Sequence, residues 1–239
     1  MGNVYVGTSG WAYATWKPRF YPAKLGATKF LSHYAERLNS VEVNYTFGKM
    51  VGAATMQKWV DTTPNGFLFA VKAHMQITHR KRLRGTEALC EQFFASIEAL
   101  GRAQKLGPVL FQLPPNFKFD AARLRGFLAT LPRELRVAFE FRHESWFVED
   151  TYSALRDASA ALCLAESEKI VTPNVQTAAF HYVRLRKPRY SATNVAQRLG
   201  GLASTGDVFA YFKHEDSPKC ALNANRVLAE TTRRGKSVA

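Results

Sequence analysis

Short apolar runs recur along the chain, and five of them pass straight into a polar or charged side chain. Val41 to Val43 leads into Asn44, Phe67 to Val71 into Lys72, Val109 to Phe111 into Gln112, Val137 to Phe141 into Arg142, and Val208 to Phe212 into Lys213. Between most runs, apolar residues return at three- and four-residue intervals, as at Leu89, Phe93, Phe94, Ile97 and Leu100, the period of a helix with one buried face. The pattern predicts strands near 3–7, 40–44, 67–72, 108–112, 136–142, 161–165, 179–185 and 207–213. It predicts helices near 27–38, 53–62, 86–104, 120–131, 147–159, 191–203 and 220–234, with Thr86 and Asp120 as N-cap types. Pro173-Asn174 interrupts the stretch from Glu166 to Ala178, so the sixth crossover is expected to be short or irregular. Strand alternating with helix predicts an α/β fold with a parallel sheet. Eight such units in 239 residues match a (β/α)8 barrel forming a single domain over 1–239, with a basic tail at 233–239.

Side chains two apart on a strand share a face, and in a closed parallel barrel that face is the interior or the helix-covered outside. Val137, Phe139 and Phe141 suit the helix side, which turns Ala138, Glu140 and Arg142 inward; Val41 and Val43 likewise leave Glu42 and Asn44 inward. The same parity directs Lys72, Gln112, Arg184, Arg186 and Lys213 to the interior or its mouth, with Ser9 and Glu166 as neighbours. Parallel strands bring all these exits to one rim, the end where such folds keep their chemistry. There Glu42, Glu140 and Glu166 face Lys72, Arg142, Arg184, Arg186 and Lys213. This surplus of cations predicts an anionic ligand, because excess buried charge without a partner is costly. A purely structural reading, with Glu140–Arg142 and Glu42–Lys72 as paired core ions, stands beside it.

Charge strengthens that picture. Lys and Arg total 33 against 19 Asp and Glu, a formal +14 with pI ≈ 9.9, which attracts polyanions without choosing among them. Basic residues cluster at His79 to Arg84, at Arg184 to Arg189 and at Arg233 to Lys236. The cysteines, Cys90, Cys163 and Cys220, form no CxxC pair, which argues against a disulfide framework or zinc ribbon and favours a reducing cytoplasm. The opening residues carry no export signal and no run is long enough to span a bilayer, so no membrane partner is expected.

Other motifs narrow the chemistry. Gly7-Thr8-Ser9-Gly10-Trp11 follows the first strand and permits a tight turn with close backbone approach to a ligand, but it is not a dinucleotide fingerprint. Arg234-Gly235-Lys236-Ser237 lacks the rest of a P-loop, and His143-Glu144-Ser145-Trp146 lacks the second His of a zinc helix. His79, His143 and His214 lie just past strand exits, where with Glu42 and Glu140 they offer ligands for a divalent metal; no cofactor is clearly indicated. Trp11, Tyr45 and Trp146 lie in loops where they can stack on a base or sugar ring, whereas Trp16 and Phe47 read as packing beneath the loops.

These strings in combination resemble the YecE-like family of uncharacterised TIM-barrel proteins. The likeness is carried by Gly7-Thr8-Ser9-Gly10-Trp11 with Tyr13, Phe20-Tyr21-Pro22, Val41 to Phe47, Phe69 to Ala73 with Ile77-Thr78-His79, Leu110 to Pro115, Phe139 to Trp146, Tyr211 to Asp216 and Asn223-Ala224. The resemblance implies the barrel and a rim built from Glu42, Asn44, Lys72, Gln112, Glu140, Arg142 and Arg184, without an established substrate. Relatives have been compared with metal-dependent endonuclease barrels. The chain departs from the family pattern at Tyr45 and Gly48, and at Arg186-Lys187 where relatives often place His-Gly.

The expectation is an enzyme that binds a phosphate-bearing substrate, a nucleotide or nucleic acid among them, with phosphoester hydrolysis as one reaction. Arg142, Arg184 and Arg186 would grip the anion, assisted by Ser9, Trp11, Asn44, Gln112, Trp146 and Lys213. Glu140 or Glu42 would act as base, and Lys72 or His143 as acid. The alternatives are a non-catalytic nucleic-acid-binding protein working through its basic loops, and an enzyme of small carboxylates or sugar acids.

Overall fold

The computed structural model describes residues 1–166, 170–213 and 217–236. Its strands are β1 (Val4–Thr8), β2 (Ser40–Val43), β3 (Leu68–Lys72), β4 (Leu106–Gln112), β5 (Val137–Glu140), β6 (Ala161–Glu166), β7 (Phe180–Leu185) and β8 (Asp207–Phe212). The helices are α1 (Phe30–Ala35), α2 (Ala53–Thr62), α3 (Glu87–Arg102), α4 (Ala121–Ala129), α5 (Glu149–Asp157), α6 (Ala192–Leu202) and α7 (Lys219–Lys236). All eight strands are parallel, in the order β1-β8-β7-β6-β5-β4-β3-β2, with β1 laddered to β8 and each strand from β2 to β8 laddered to the next. Helices alternate with them, giving a nearly closed (β/α)8 barrel.

Closure depends on the seam between β1 and β2, where backbone pairing shrinks to one bridge, Ser9 to Glu42. Side chains make up the deficit. Asn39 accepts from the Val6 amide at 2.8 Å and donates to the Val4 carbonyl at 2.9 Å. The Tyr34 hydroxyl accepts from the Thr8 amide at 2.8 Å and donates to the Ser40 carbonyl at 3.1 Å. Gly7 is required here: a Cβ on it would lie 2.0 Å from the Ser40 carbonyl oxygen. The close approach expected of this glycine is therefore made to β2. Gly10, at φ +89°, supplies the left-handed turn.

The barrel interior is a packed core in its own right. Phe180, Tyr182, Phe209 and Tyr211 from β7 and β8 fill the space left by Ala70, Ala138, Ala161 and Ala165. The helix-facing residues Val41, Val43, Val137, Phe139 and Phe141 belong to a second, outer cluster, as the alternation predicts.

Between β6 and β7 the described residues form no helix. Two threonines serve the backbone there instead. Thr177 Oγ1 donates to the Ala160 carbonyl and accepts from the Leu162 amide, and the Ala165 amide reaches Thr172 Oγ1 at 3.3 Å. Asp120 caps α4, its Oδ1 accepting from the Arg123 amide at 3.0 Å. Thr86 does not cap α3: at φ −114°, ψ 6° it lacks the extended backbone that aims a side chain at the first turn. Arg233 and Arg234, expected in a separate tail, continue α7 and pair with Glu230. Residues 237–239 of that tail, together with His214, Glu215 and Asp216, lie outside the described residues.

Candidate functional site

Three strands place ionised groups at one level of the rim: β2 carries Glu42, β5 Glu140 and β7 Arg184. Arg184 bridges the barrel, its Nη2 lying 2.7 Å from Glu42 Oε1 and its Nη1 2.5 Å from Glu140 Oε2, with all three side chains at most 1% exposed. Glu42 also accepts from Ser9 Oγ at 2.6 Å, Tyr182 OH at 2.7 Å and Asn44 Nδ2 at 3.2 Å. Glu140 accepts from Gln112 Nε2 at 2.9 Å and pairs with Arg186 at 3.1 Å. The cost of burying these ions is offset by their mutual pairing and the added hydrogen bonds, although Arg184 Nε has no hydrogen-bond partner among the described residues. Burial by itself pushes the Glu42 carboxyl up, but Arg184 and the hydroxyl donors outweigh it and hold the group below the usual carboxylate range. Burial would likewise favour loss of the Arg184 proton, and the two carboxylates more than offset it.

Lys72, at the end of β3, differs. Its Nζ donates to Gln112 Oε1 at 2.8 Å and lies 3.8 Å from the centre of the Phe47 ring. No carboxylate lies within ion-pair distance of it among the described residues. Desolvation first, then the Arg184 charge, lowers its pKa to about 8 against the opposing pull of Glu42 and Glu140. The Phe47 ring face favours the ammonium form and works against part of that depression. His79 packs edge-on against Phe47 at 4.9 Å. Burial, Lys72 and Arg142 push its pKa down to about 4, so it is neutral at neutral pH.

Arg142 is exposed, and no carboxylate pairs with it among the described residues. Lys213 is half-buried on the same rim. Among the described residues, five cations therefore share the rim with two carboxylates, because the third expected acid is elsewhere. Glu166 turns outward and binds Arg198, Lys187 and Tyr190. The residues sharing the interior with the rim from β6 are Ala161, Cys163 and Ala165. Glu168, Glu215 and Asp216 lie outside the described residues.

Other expected residues are placed differently from the sequence reading. Arg184 is fully buried and both its terminal nitrogens are occupied by carboxylates, so the expected Arg142–Arg184 clamp is not formed. The ion partners are Glu42–Arg184–Glu140–Arg186, in place of Glu140–Arg142 and Glu42–Lys72. The Glu42 carboxyl is held below the usual range and its oxygens accept from Ser9, Asn44, Tyr182 and Arg184, which opposes the proton uptake expected of a base. Trp146 is fully buried: it stacks on Phe141 at 4.6 Å and donates from Nε1 to the Phe117 carbonyl at 2.6 Å, so it packs beneath the loop. His143 holds its own turn, with Nδ1 2.9 Å from Ser145 Oγ. Trp16 is buried as expected, whereas Phe47 supplies the ring beneath Lys72. Among the described residues no group of three or more His, Cys, Asp or Glu is placed to hold a metal ion, and no helix is long and apolar enough to cross a membrane.

Trp11 and Asn44 do come together, beside the rim. With Gly10, Tyr13, Tyr45 and Trp59 they line a cavity of about 550 Å³ between the β1 loop and α2. Two residues that border this arrangement, Tyr182 and Trp59, escaped the sequence reading. Tyr182 was legible in principle, since it sits two positions before Arg184 on one strand face. Trp59 lies on the helix after β2, where nothing local marks it as bordering a site.

A family profile described as "Protein of unknown function DUF72" matches residues 5–238. The UPF0759 protein YunF of Bacillus subtilis is 32% identical over 156 residues, a match covering 62% of this chain and 54% of that protein. The matched segment thus spans about half of the relative. A crystal structure of a DUF72-family protein from Thermotoga maritima superposes with a TM-score of 0.84 at 27% identity, covering 95% of this chain and 98% of the other. One from Enterococcus faecalis gives 0.82 at 15% identity over 96% and 95%, a likeness of fold alone. The YecE-like resemblance is a close name for the same group. From its first strand to its last helix, this chain belongs to the DUF72 family of proteins of unknown function.

Proposed function

We propose that the chain is an enzyme acting on a small phosphate-bearing substrate at the C-terminal end of its barrel. Arg142, Arg186 and Lys213 face the anionic group, and Lys72 carries the proton. The observation behind this reading is Lys72: it is nearly buried and contacts a neutral amide and an aromatic face, while both adjacent carboxylates are engaged by arginines. An ammonium so placed, with a pKa brought down to about 8, suits proton donation to a leaving oxygen near neutral pH. Fixed positive charge around it offsets the negative charge of a phosphoryl transition state. Phosphoester hydrolysis is the reaction favoured. The Glu42–Arg184–Glu140 network keeps the surrounding groups in place without itself touching substrate.

The test is calorimetric titration of inorganic phosphate, followed by turnover of aryl phosphomonoesters and phosphodiesters. Arg142→Ala should weaken phosphate binding roughly tenfold or more while leaving the unfolding midpoint unchanged, since the side chain is exposed. Lys72→Met should remove the alkaline limb of the pH–rate profile. Unchanged phosphate affinity in Arg142→Ala and in Lys213→Ala would overturn the reading. Arg80, Lys81 and Arg84 are exposed and adjoin the rim, which favours nucleic-acid binding as the second reading. That reading stands if neutralising these three lowers the logarithmic salt slope of DNA or RNA binding while rim variants leave it unchanged. Tight binding of small carboxylates with none of phosphate would instead indicate a sugar-acid substrate.

A further inference from the structure

We infer that the cavity lined by Trp11, Tyr13, Asn44, Tyr45 and Trp59 is a subsite for a flat heteroaromatic ring, which makes the substrate nucleotide-like. The inference rests on the phosphate-bearing reading of the rim and adds the group to which the phosphate is attached. A volume of about 550 Å³ is of the size that holds a small organic molecule. Its walls have the shape that a flat ring needs. The Trp11 and Trp59 rings meet at 5.1 Å with their planes at 89°, so they form a right-angled corner. A planar ligand can lie face-on against one indole and edge-on against the other, both favourable aromatic arrangements. Phe69 stacks behind Trp59 at 6.1 Å and 18° and fixes that wall.

Tyr45 stands at the opening with 57% of its surface exposed, one of the few large apolar side chains left to solvent. It follows Asn44 directly, at the cavity's edge. Asn44 supplies polar recognition. Its Nδ2 donates to Glu42 at 3.2 Å, which fixes the amide orientation, while its Oδ1 accepts nothing among the described residues. A half-buried carbonyl acceptor oriented in this way can accept from a ring N–H or exocyclic amine; discrimination against a sugar comes from the aromatic walls. The same amide ties the subsite to the rim: two successive hydrogen bonds, Asn44 to Glu42 and Arg184 to Glu42 at 2.7 Å, join the cavity wall to the central arginine.

Calorimetric titrations of the intact chain with AMP, GMP, CMP and UMP are compared with inorganic phosphate, ribose 5-phosphate and the free nucleosides. Two variants probe the cavity: Tyr45→Ala removes the exposed ring, and Thr55→Trp, at an exposed position of α2 that borders the cavity, fills it. At least one nucleotide should bind roughly tenfold or more tightly than phosphate and ribose 5-phosphate, the scale of one aromatic stacking contact. Both variants should erase that advantage and leave phosphate affinity as it was. Nucleotides no tighter than phosphate, or indifferent to Thr55→Trp, overturn the ring subsite while the anion reading survives. Nucleosides as tight as nucleotides, and lost in Thr55→Trp, uphold the subsite and overturn the phosphate reading. Ribose 5-phosphate matching the nucleotides and failing in the variants places a sugar in the cavity and overturns the heteroaromatic assignment. No binding by any of these ligands overturns both.

Discussion

Arg184 meets Glu42 across the closed barrel, its Nη2 2.7 Å from Oε1 although 142 positions separate the two residues and neither side chain reaches solvent. Removing one member strands the other's charge. Arg184→Met should therefore cost roughly 3–5 kcal/mol in urea unfolding. The triple variant Arg184→Met, Glu42→Gln, Glu140→Gln should regain part of that loss, because neither fully buried carboxylate is then left charged without its arginine. A triple variant less stable than Arg184→Met would show that the stabilisation arises from something other than charge pairing.

The seam between β1 and β2 gives a second prediction. Gly7→Ala sets a Cβ 2.0 Å from the Ser40 carbonyl oxygen, and backbone rather than a flexible side chain must yield. A loss of about 1–3 kcal/mol is expected. Hydrogen exchange should quicken at the Gly10 amide, which donates to the Glu42 carbonyl at 2.8 Å across the seam. Gly48→Ala is the control: nothing lies within 4 Å of its added methyl, so stability should change by no more than about 0.5 kcal/mol. Equal effects at the two glycines would contradict the account of closure.

His79 reports on the charge at the rim. Its pKa of about 4 reflects burial first, then Lys72 and Arg142. In an NMR titration the ring should protonate near that value, and in Lys72→Met the midpoint should move up toward the ordinary histidine range. Between pH 6.5 and 4 the unfolded chain binds a proton here that the folded chain refuses. The contribution to stability is thus complete above that window and lost as pH falls through it. Lys72 has the same sign in its own window: the folded group releases its proton near 8 and the unfolded one near 10.5, so stability rises with pH between those values. An unshifted His79 midpoint in Lys72→Met would mean that the two do not share a field.

Much of the fold can be read from the chain because period and parity are local. The runs ending at Asn44, Lys72, Gln112, Arg142 and Lys213 mark strand exits, and the alternation of Val41 with Glu42 or Phe139 with Glu140 decides which side chain turns inward. Parity misled at Glu166. In Ala161-Leu162-Cys163-Leu164-Ala165 the leucines face the helices and the small residues face an interior already filled by Phe180, Tyr182, Phe209 and Tyr211. That volume demand comes from β7 and β8 and leaves no trace in the β6 string.

The sequence by itself determined eight strand exits bearing a surplus of cations at one rim, since alternation and element order are properties of neighbouring residues. Which acid meets which arginine was decided only by the tertiary structure. Strand tilt and stagger set the level at which β2, β5 and β7 face one another, and the nearest charge across a barrel follows from that stagger rather than from spacing along the chain. Closure thus gave Arg184 to Glu42 and Glu140, and left Lys72 with an amide and an aromatic ring.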